Sequence, residues 1–117
     1  MANGAPRRIP VVFYRTEGGN EVVRDWLRGL GENDRQAIGL DLMRVQYRWP
    51  VGMPLCRPLS GGLWEVRTSL PSGRIARMLF CVRADTILVL SGFIKKTQKT
   101  PDEELTLARK RMKEFMP

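Results

Sequence analysis

Three lysines lie within five residues of one another in the segment GFIKKTQKTP, at Lys95, Lys96 and Lys99. Two arginines precede them, Arg67 in GLWEVR and Arg77 in GRIARMLF. An arginine presents a planar, permanently charged fork to a phosphate, whereas a lysine that is crowded by other cations can change its pKa. Residues of these types could together stabilise charge on a phosphate and transfer protons. The chemistry they suit best is that of a phosphodiester.

The chain contains no histidine, which removes the most common general acid or base and the most common metal ligand. Two cysteines, Cys56 and Cys81, are too few for a disulfide framework, and without histidine they argue against a structural zinc site. We therefore expect neither a metal nor another cofactor. Cleavage of RNA by attack of a ribose 2′-hydroxyl needs a base, an acid and charge stabilisation, and several cations could divide these roles.

Net charge favours an anionic partner, with nucleic acid as the first candidate. Twenty Lys and Arg against twelve Asp and Glu in 117 residues give a net charge of +8 and a sequence pI near 10.3, and the summed field of such a chain attracts anions. The length suits one domain. No apolar run reaches the roughly 18 residues that a membrane span requires. We expect a cytoplasmic protein with a disordered basic arm at 1–8 and one domain at 9–117.

The elements that must position the cations can be predicted from hydrophobic periodicity. Alternating and β-branched runs predict strands, and apolar residues at helical spacing predict helices. A segment rich in proline and glycine, 50–62, is predicted to be a loop. The predicted order is one strand, two helices in a hairpin, a three-strand antiparallel meander and one helix, over 9–14, 20–30, 33–49, 63–70, 74–83, 86–94 and 100–115.

The start of the last helix has a strong sequence signal. Thr100 is predicted as its cap, Pro101 as its first residue, and Glu103 as the residue that closes a capping box. The side of this helix that packs on the core is predicted to comprise Leu105, Ala108, Met112 and Phe115.

Strand alternation places Glu65 and Arg67 on one face of the predicted meander. Because a short turn makes the next strand antiparallel, Arg67 and Arg77 can lie near each other in a basic groove with the lysines at its rim. Phe80 or Phe93 could stack on a base and splay the RNA strand. The alternative is a patch of solvated or paired cations without a specific active site.

Four segments, LSGGLWEVR, GRIARMLFCV, TILVLSGFIKKTQKTP and EELTLARKRMKEF, resemble the RelE/HigB-like toxins of type II toxin–antitoxin systems. The resemblance is to the phage-derived branch of the RelE/ParE superfamily, covers about residues 9–116, and implies a compact α+β fold. It implies a toxin that cleaves mRNA on the ribosome without a metal, which inhibits translation and arrests growth. The implied partners are a helix-turn-helix antitoxin of the HigA type, mRNA and the ribosome, with operator DNA contacted only through the antitoxin.

The resemblance also implies roles for individual residues. Transition-state charge would be stabilised by two arginines and a proton would be transferred by one of three lysines, so the implied catalytic residues are Arg67, Arg77, Lys95, Lys96 and Lys99. The expected RNA contacts are Arg74, as a secondary phosphate contact, together with Phe80, Phe93, Gln98 and Glu65.

Two positions depart from the pattern of this superfamily. Glu65 stands where the best-studied ribosome-dependent members carry a basic residue, so it could instead orient Arg67 or act as a base. Phe80 stands where several members carry a tyrosine, which removes any role for a hydroxyl there.

A second hypothesis keeps the fold but not the chemistry. ParE-like proteins share the superfamily fold, so the chain could inhibit DNA gyrase without cleaving RNA, because a fold does not determine a function. A third hypothesis is a domain that binds nucleic acid nonspecifically through its net charge.

Overall fold

A computed structural model describes residues 8–95 and 100–115 of the chain. One mixed sheet of five strands, in the order β1-β5-β4-β3-β2, carries three helices. The predicted α+β class and the predicted order of strand, two helices, meander and helix are confirmed. The elements are β1 Val11–Phe13, α1 Val22–Arg28, α2 Glu32–Arg48, β2 Cys56–Pro58, β3 Trp64–Ser69, β4 Ile75–Arg83, β5 Thr86–Lys95 and α3 Asp102–Glu114.

Helices cover both faces of β5, which pairs in parallel with β1 and antiparallel with β4. Ile87 and Val89 belong to the core cluster on the side of α1 and α2, whereas Leu88 and Leu90 belong to the cluster on the side of α3. Burial on both faces explains why this strand is an almost unbroken apolar run rather than an alternating one. No described helix has both the length and the apolar composition needed to cross a bilayer.

The meander is closed by tight turns where they were predicted. Ala84 and Asp85 have φ angles of 50° and 57°, and they connect the paired residues Arg83 and Thr86. Two consecutive residues with positive φ form the type of turn whose twist matches that of the flanking strands. The β4–β5 pair therefore follows directly from this short connection.

A short strand was missed in the segment predicted to be a loop. Strand β2 pairs antiparallel with β3, with Cys56 opposite Val66 and Arg57 opposite Glu65. It has three residues and ends at Pro58 at the edge of the sheet, where a proline costs no ladder hydrogen bond. A strand this short shows no alternation, so the prolines and glycines around it dominated the prediction.

The predicted cap of the last helix is wrong. Helix α3 begins at Asp102 with Pro101 in the capping position, and its N-terminus has no side-chain cap. The Thr100 hydroxyl instead donates a hydrogen bond to Oε2 of Glu65. Phe115, predicted to pack on the core, is 41% exposed and makes an edge contact with Tyr14. The sequence signal at Thr100 therefore reflects a tertiary contact.

Candidate functional site

Arg67 and Arg77 lie directly opposite each other in β3 and β4, and Phe93 in β5 lies opposite Arg77. Opposed residues of an antiparallel pair share a face, with Cβ atoms roughly 4.5–5.5 Å apart. Leu79, on the same face of β4, belongs to the core cluster beneath α3. The register therefore sets two arginines and one phenylalanine in a row across the α3 face of the sheet.

Arg77 is buried rather than exposed at the surface of a groove, contrary to the sequence-based expectation. Its side chain is 1% exposed, and its Nη1 lies 3.5 Å from Oε2 of Glu65, whose side chain is fully buried. The same oxygen accepts the hydrogen bond from Thr100. Burying two charges costs free energy of desolvation, and this cost is offset only where the charges are paired and hydrogen-bonded. Glu65 thus pairs with Arg77 and not with Arg67, and we call these three residues the Arg77–Glu65–Thr100 network.

The network holds one end of the lysine-bearing connection against the sheet. Thr100 is the residue that follows 96–99, and at the other end the backbone of Lys95 pairs with Ile75 in β4. Both ends of the connection are therefore attached beside Arg77. The segment 96–99 lies outside the described residues, as does the side chain of Lys95. The roles assigned to Lys95, Lys96, Gln98 and Lys99 stay predictions.

Arg67 is half-buried and lines a groove of about 510 Å³ at the edge of the sheet, beyond the end of β2. Asp41 and Arg44 of α2, which form an ion pair, line the groove together with Ser69. The backbone N–H of Arg67 donates to the carbonyl of Leu55 at 3.1 Å, which ties the preceding loop to the strand. The volume lies in the range of small-molecule sites, roughly 300–1,000 Å³. Arg67 is thus the arginine of the row whose side chain reaches an open groove.

Arg74 is not brought to the Arg67–Arg77 row. It is exposed in the turn between β3 and β4, where its Nη2 lies 3.3 Å from Oδ2 of Asp34 at the start of α2. Its Nε also donates to the hydroxyl of Ser72. These contacts connect the turn to α2.

The two candidate stacking residues lie on opposite faces of the sheet. Phe80 is fully buried, with its ring centroid 5.5 Å from that of Trp49 on the side of α1 and α2. This burial leaves no ring face for an RNA base, so the assignment of Phe80 to base stacking does not fit the structure. Phe93 is half-buried on the α3 face beside Arg77.

Arg57 was missed by the sequence analysis. It is exposed in β2 directly opposite Glu65, so it shares the α3 face with the row of Arg67 and Arg77. The only signal for it in the sequence is a cation between two prolines, Pro54 and Pro58, in a segment too short to show alternation. Arg57 extends the positive charge of this face to the edge of the sheet.

Neither cysteine suits nucleophilic chemistry. Both thiols are free and buried. Burial, with the charge of Asp41 as a smaller cause, raises the pKa of Cys56 to about 12, and burial also raises the pKa of Cys81. A protonated thiol is a poor nucleophile. Within 8–95 and 100–115, no group of three or more side chains is arranged to hold a metal ion.

A comparison with protein families finds a match over most of the chain. The family model described as phage derived protein Gp49-like (DUF891) matches residues 25–113. The matched range contains Arg57, Glu65, Arg67, Arg77 and Thr100. No curated protein matches the chain at a significant level of similarity.

Proposed function

The chain belongs to the family of phage-derived Gp49-like proteins, which are RelE-like toxins of toxin–antitoxin systems, and we propose that it cleaves mRNA on the ribosome. Its partner in such a system is an antitoxin. The observation that carries the proposal is the position of Arg67, which lines an open groove and lies opposite the buried Arg77. Cleavage at this site would stop translation and arrest growth, in the cytoplasm where ribosomes work.

Arg67 is the residue we assign to the reacting phosphate. A phosphodiester gains negative charge on its non-bridging oxygens as the ribose 2′-hydroxyl attacks, and a guanidinium fixed in advance stabilises that charge. Arg44 lines the same groove, where its charge is paired with that of Asp41. Arg74, exposed at the nearby turn, would act as a secondary phosphate contact.

Arg77 contributes through its position in the fold. Its guanidinium is buried and paired with the carboxylate of Glu65, which balances its charge. Through Glu65 it also holds Thr100 and hence the end of the connection that bears the lysines. We therefore propose Arg77 and Glu65 as positioning residues.

Proton transfer falls to the lysines of the connection. One of Lys95, Lys96 and Lys99 would remove the proton of the 2′-hydroxyl, and a second would protonate the leaving 5′-oxygen, because neighbouring cations lower the pKa of a lysine. Gln98 would contact the RNA in the same segment. Phe93 offers the stacking surface for a base.

The antitoxin is proposed to be of the HigA type, with a helix-turn-helix domain through which the complex reaches operator DNA. Membership of a toxin–antitoxin family supports an antitoxin as the partner, and its helix-turn-helix type is part of the proposal.

The proposal can be tested by inducing the chain in cells and mapping a defined mRNA by primer extension. Cuts phased with codons are expected for the wild type. Arg67→Ala should remove them, whereas Arg15→Ala, which removes an exposed arginine outside the site, should keep them. Intact mRNA alongside arrested growth would contradict the proposal, and inhibition of gyrase in a supercoiling assay would then favour the ParE-like alternative.

A further inference from the structure

Two cavities adjoin on the face of the sheet that α1 and α2 cover. They measure about 440 and 260 Å³ and share three lining residues, Phe13 of β1 with Gly39 and Leu42 of α2. We call the pair the Gly39 groove. β1 is the edge strand of the described sheet, so the groove opens along a free edge and lies on the opposite face from Arg77 and Phe93.

Gly39 lies in the middle of α2, where a glycine costs about 1 kcal/mol relative to alanine. A Cβ built at this position meets no heavy atom within 4 Å, so packing within the described chain does not require a glycine. A glycine does permit close approach by another backbone. The contrast is Gly92, where a Cβ would lie 2.6 Å from the ring of Trp26 and internal packing explains the residue.

The ionisable side chains that line the groove in the described part of the chain are all arginines, namely Arg8, Arg24, Arg28 and Arg35. Arg24 and Arg28 each lie near one acid of the same helix region, at 3.3 and 3.9 Å. Arg35 donates to the backbone carbonyls at the end of α1 rather than to a carboxylate. The rim therefore carries an excess of positive charge, which is complementary to an acidic partner.

Apolar surface continues from the groove across α2. Met43, which is 42% exposed, follows Gly39 by four residues and so lies beside it on the helix. Leu40, which is 51% exposed, precedes Met43 by three residues and extends this surface. The floor, formed by Phe13 and Leu42, belongs to or packs against the core. An apolar floor with a basic rim is the pattern of a protein-binding surface.

We propose that the Gly39 groove binds an acidic amphipathic segment of the antitoxin. An apolar side chain of that segment occupies the floor at Phe13 and Leu42, its backbone passes over Gly39, and its carboxylates meet Arg28 and Arg35. A second copy of this chain is the poorer occupant, because its net charge of +8 would oppose the basic rim. The inference rests on membership of a toxin–antitoxin family and does not depend on RNA cleavage.

The test uses the purified product of the gene adjacent to that of this chain as the antitoxin probe, with affinity measured by calorimetry. Gly39→Leu fills the groove, and Arg28→Glu reverses the charge of its rim. Each is expected to weaken binding at least tenfold. Lys110→Glu, an equivalent charge reversal at an exposed position of α3, should leave the affinity within about twofold.

Two controls separate loss of binding from loss of fold or of activity. Gly39→Leu should melt at the wild-type temperature or above it, because leucine has the higher helix propensity. Both variants should still cleave mRNA when no antitoxin is present, so a failure of the nuclease proposal would be visible independently. Wild-type affinity in both variants would overturn the inference. So would a change in oligomeric state on Gly39→Leu with unchanged antitoxin affinity, because the occupant would then be a second copy.

Discussion

Glu65 connects two parts of the molecule that are distant in sequence, because its Oε2 contacts both Arg77 of β4 and Thr100 at the start of the last helix. Its Oε1 has no hydrogen-bond partner among the described residues. A carboxylate buried in this way is held in place by the charge of Arg77, and its loss would leave a guanidinium in the interior without this counter-charge. The network therefore makes a measurable prediction about stability.

Replacing one partner of the buried ion pair should lower the stability of the fold far more than replacing both. Glu65→Leu alone or Arg77→Met alone is expected to lower the free energy of unfolding by about 3–5 kcal/mol, because each leaves one charge in the interior. The double variant should cost less than either single change. Urea unfolding of all four proteins measures this coupling. Additive costs would show that the two side chains do not act as a pair.

The hydroxyl of Thr100 should stabilise the protein through its hydrogen bond to Glu65 and not by capping α3. Thr100→Val removes the donor at nearly constant volume and is expected to cost about 1.5–3 kcal/mol, as for a hydrogen bond to a charged group. Thr100→Ser keeps the donor, so its free energy of unfolding should be close to that of the wild type. In a Glu65→Leu background the cost of Thr100→Val should largely disappear. An unchanged cost in that background would restore the capping interpretation.

At the scale of elements, the close approach of β5 and α1 depends on Gly92. A Cβ there would lie 2.6 Å from Cζ3 and 2.8 Å from Cε3 of Trp26, whose partly buried indole packs against the core. Gly92→Ala is therefore expected to destabilise the fold by about 1–3 kcal/mol, the usual cost of overpacking. Gly39→Ala is the matched control, and it should instead raise stability by roughly 1 kcal/mol. Thermal unfolding of the two variants in parallel measures both effects, and equal melting temperatures would contradict the packing account.

The long strands and helices could be predicted from the sequence because each repeats its apolar pattern several times. Strands β3, β4 and β5 were recognisable from alternation or continuous burial, and the short turn between β3 and β4 predicted that Arg67 and Arg77 can lie near each other. Their exact pairing could not be predicted, because the length of a turn does not determine the register to one residue. β2 could not be predicted, since three residues at an edge show no period.

Side-chain environments in the site were harder to predict than its elements. The burial of Arg77 depends on Glu65 in a neighbouring strand, and the bond of Thr100 depends on the same residue, so both are tertiary effects that local sequence does not contain. Alternation places Phe80 and Arg77 on opposite faces of β4. Alternation could not show that Phe80 would pack against Trp49.

At the scale of the whole molecule, the sheet separates two surfaces. The row of arginines lies on the α3 face and at the β3 edge, whereas the Gly39 groove lies on the face of α1 and α2 at the β1 edge. Helix α2 lines both the Arg67 groove and the Gly39 groove. RNA and an antitoxin segment would therefore meet different parts of one basic protein.

Affinity for RNA should fall steeply with salt, because the net charge of +8 binds phosphates by releasing counterions. For single strands the slope of log K against log salt is about −0.7 for each phosphate neutralised. Arg67→Ala should reduce this slope by about 0.7, the loss of one contact. Fluorescence anisotropy with a short labelled RNA between 50 and 300 mM salt, chosen as roughly the range in which such slopes are measured, gives both values. An unchanged slope would place Arg67 away from the RNA backbone.

The most direct test of the central claim is cleavage of a defined mRNA by the purified protein, with and without programmed ribosomes, for the wild type, Arg67→Ala and Arg15→Ala. We predict codon-phased cleavage that requires the ribosome, is retained by Arg15→Ala and falls at least a hundredfold in Arg67→Ala, about 2.7 kcal/mol of transition-state stabilisation. The midpoint of urea unfolding should be the same for Arg67→Ala as for the wild type. Cleavage at the wild-type rate by a folded Arg67→Ala protein would contradict the account.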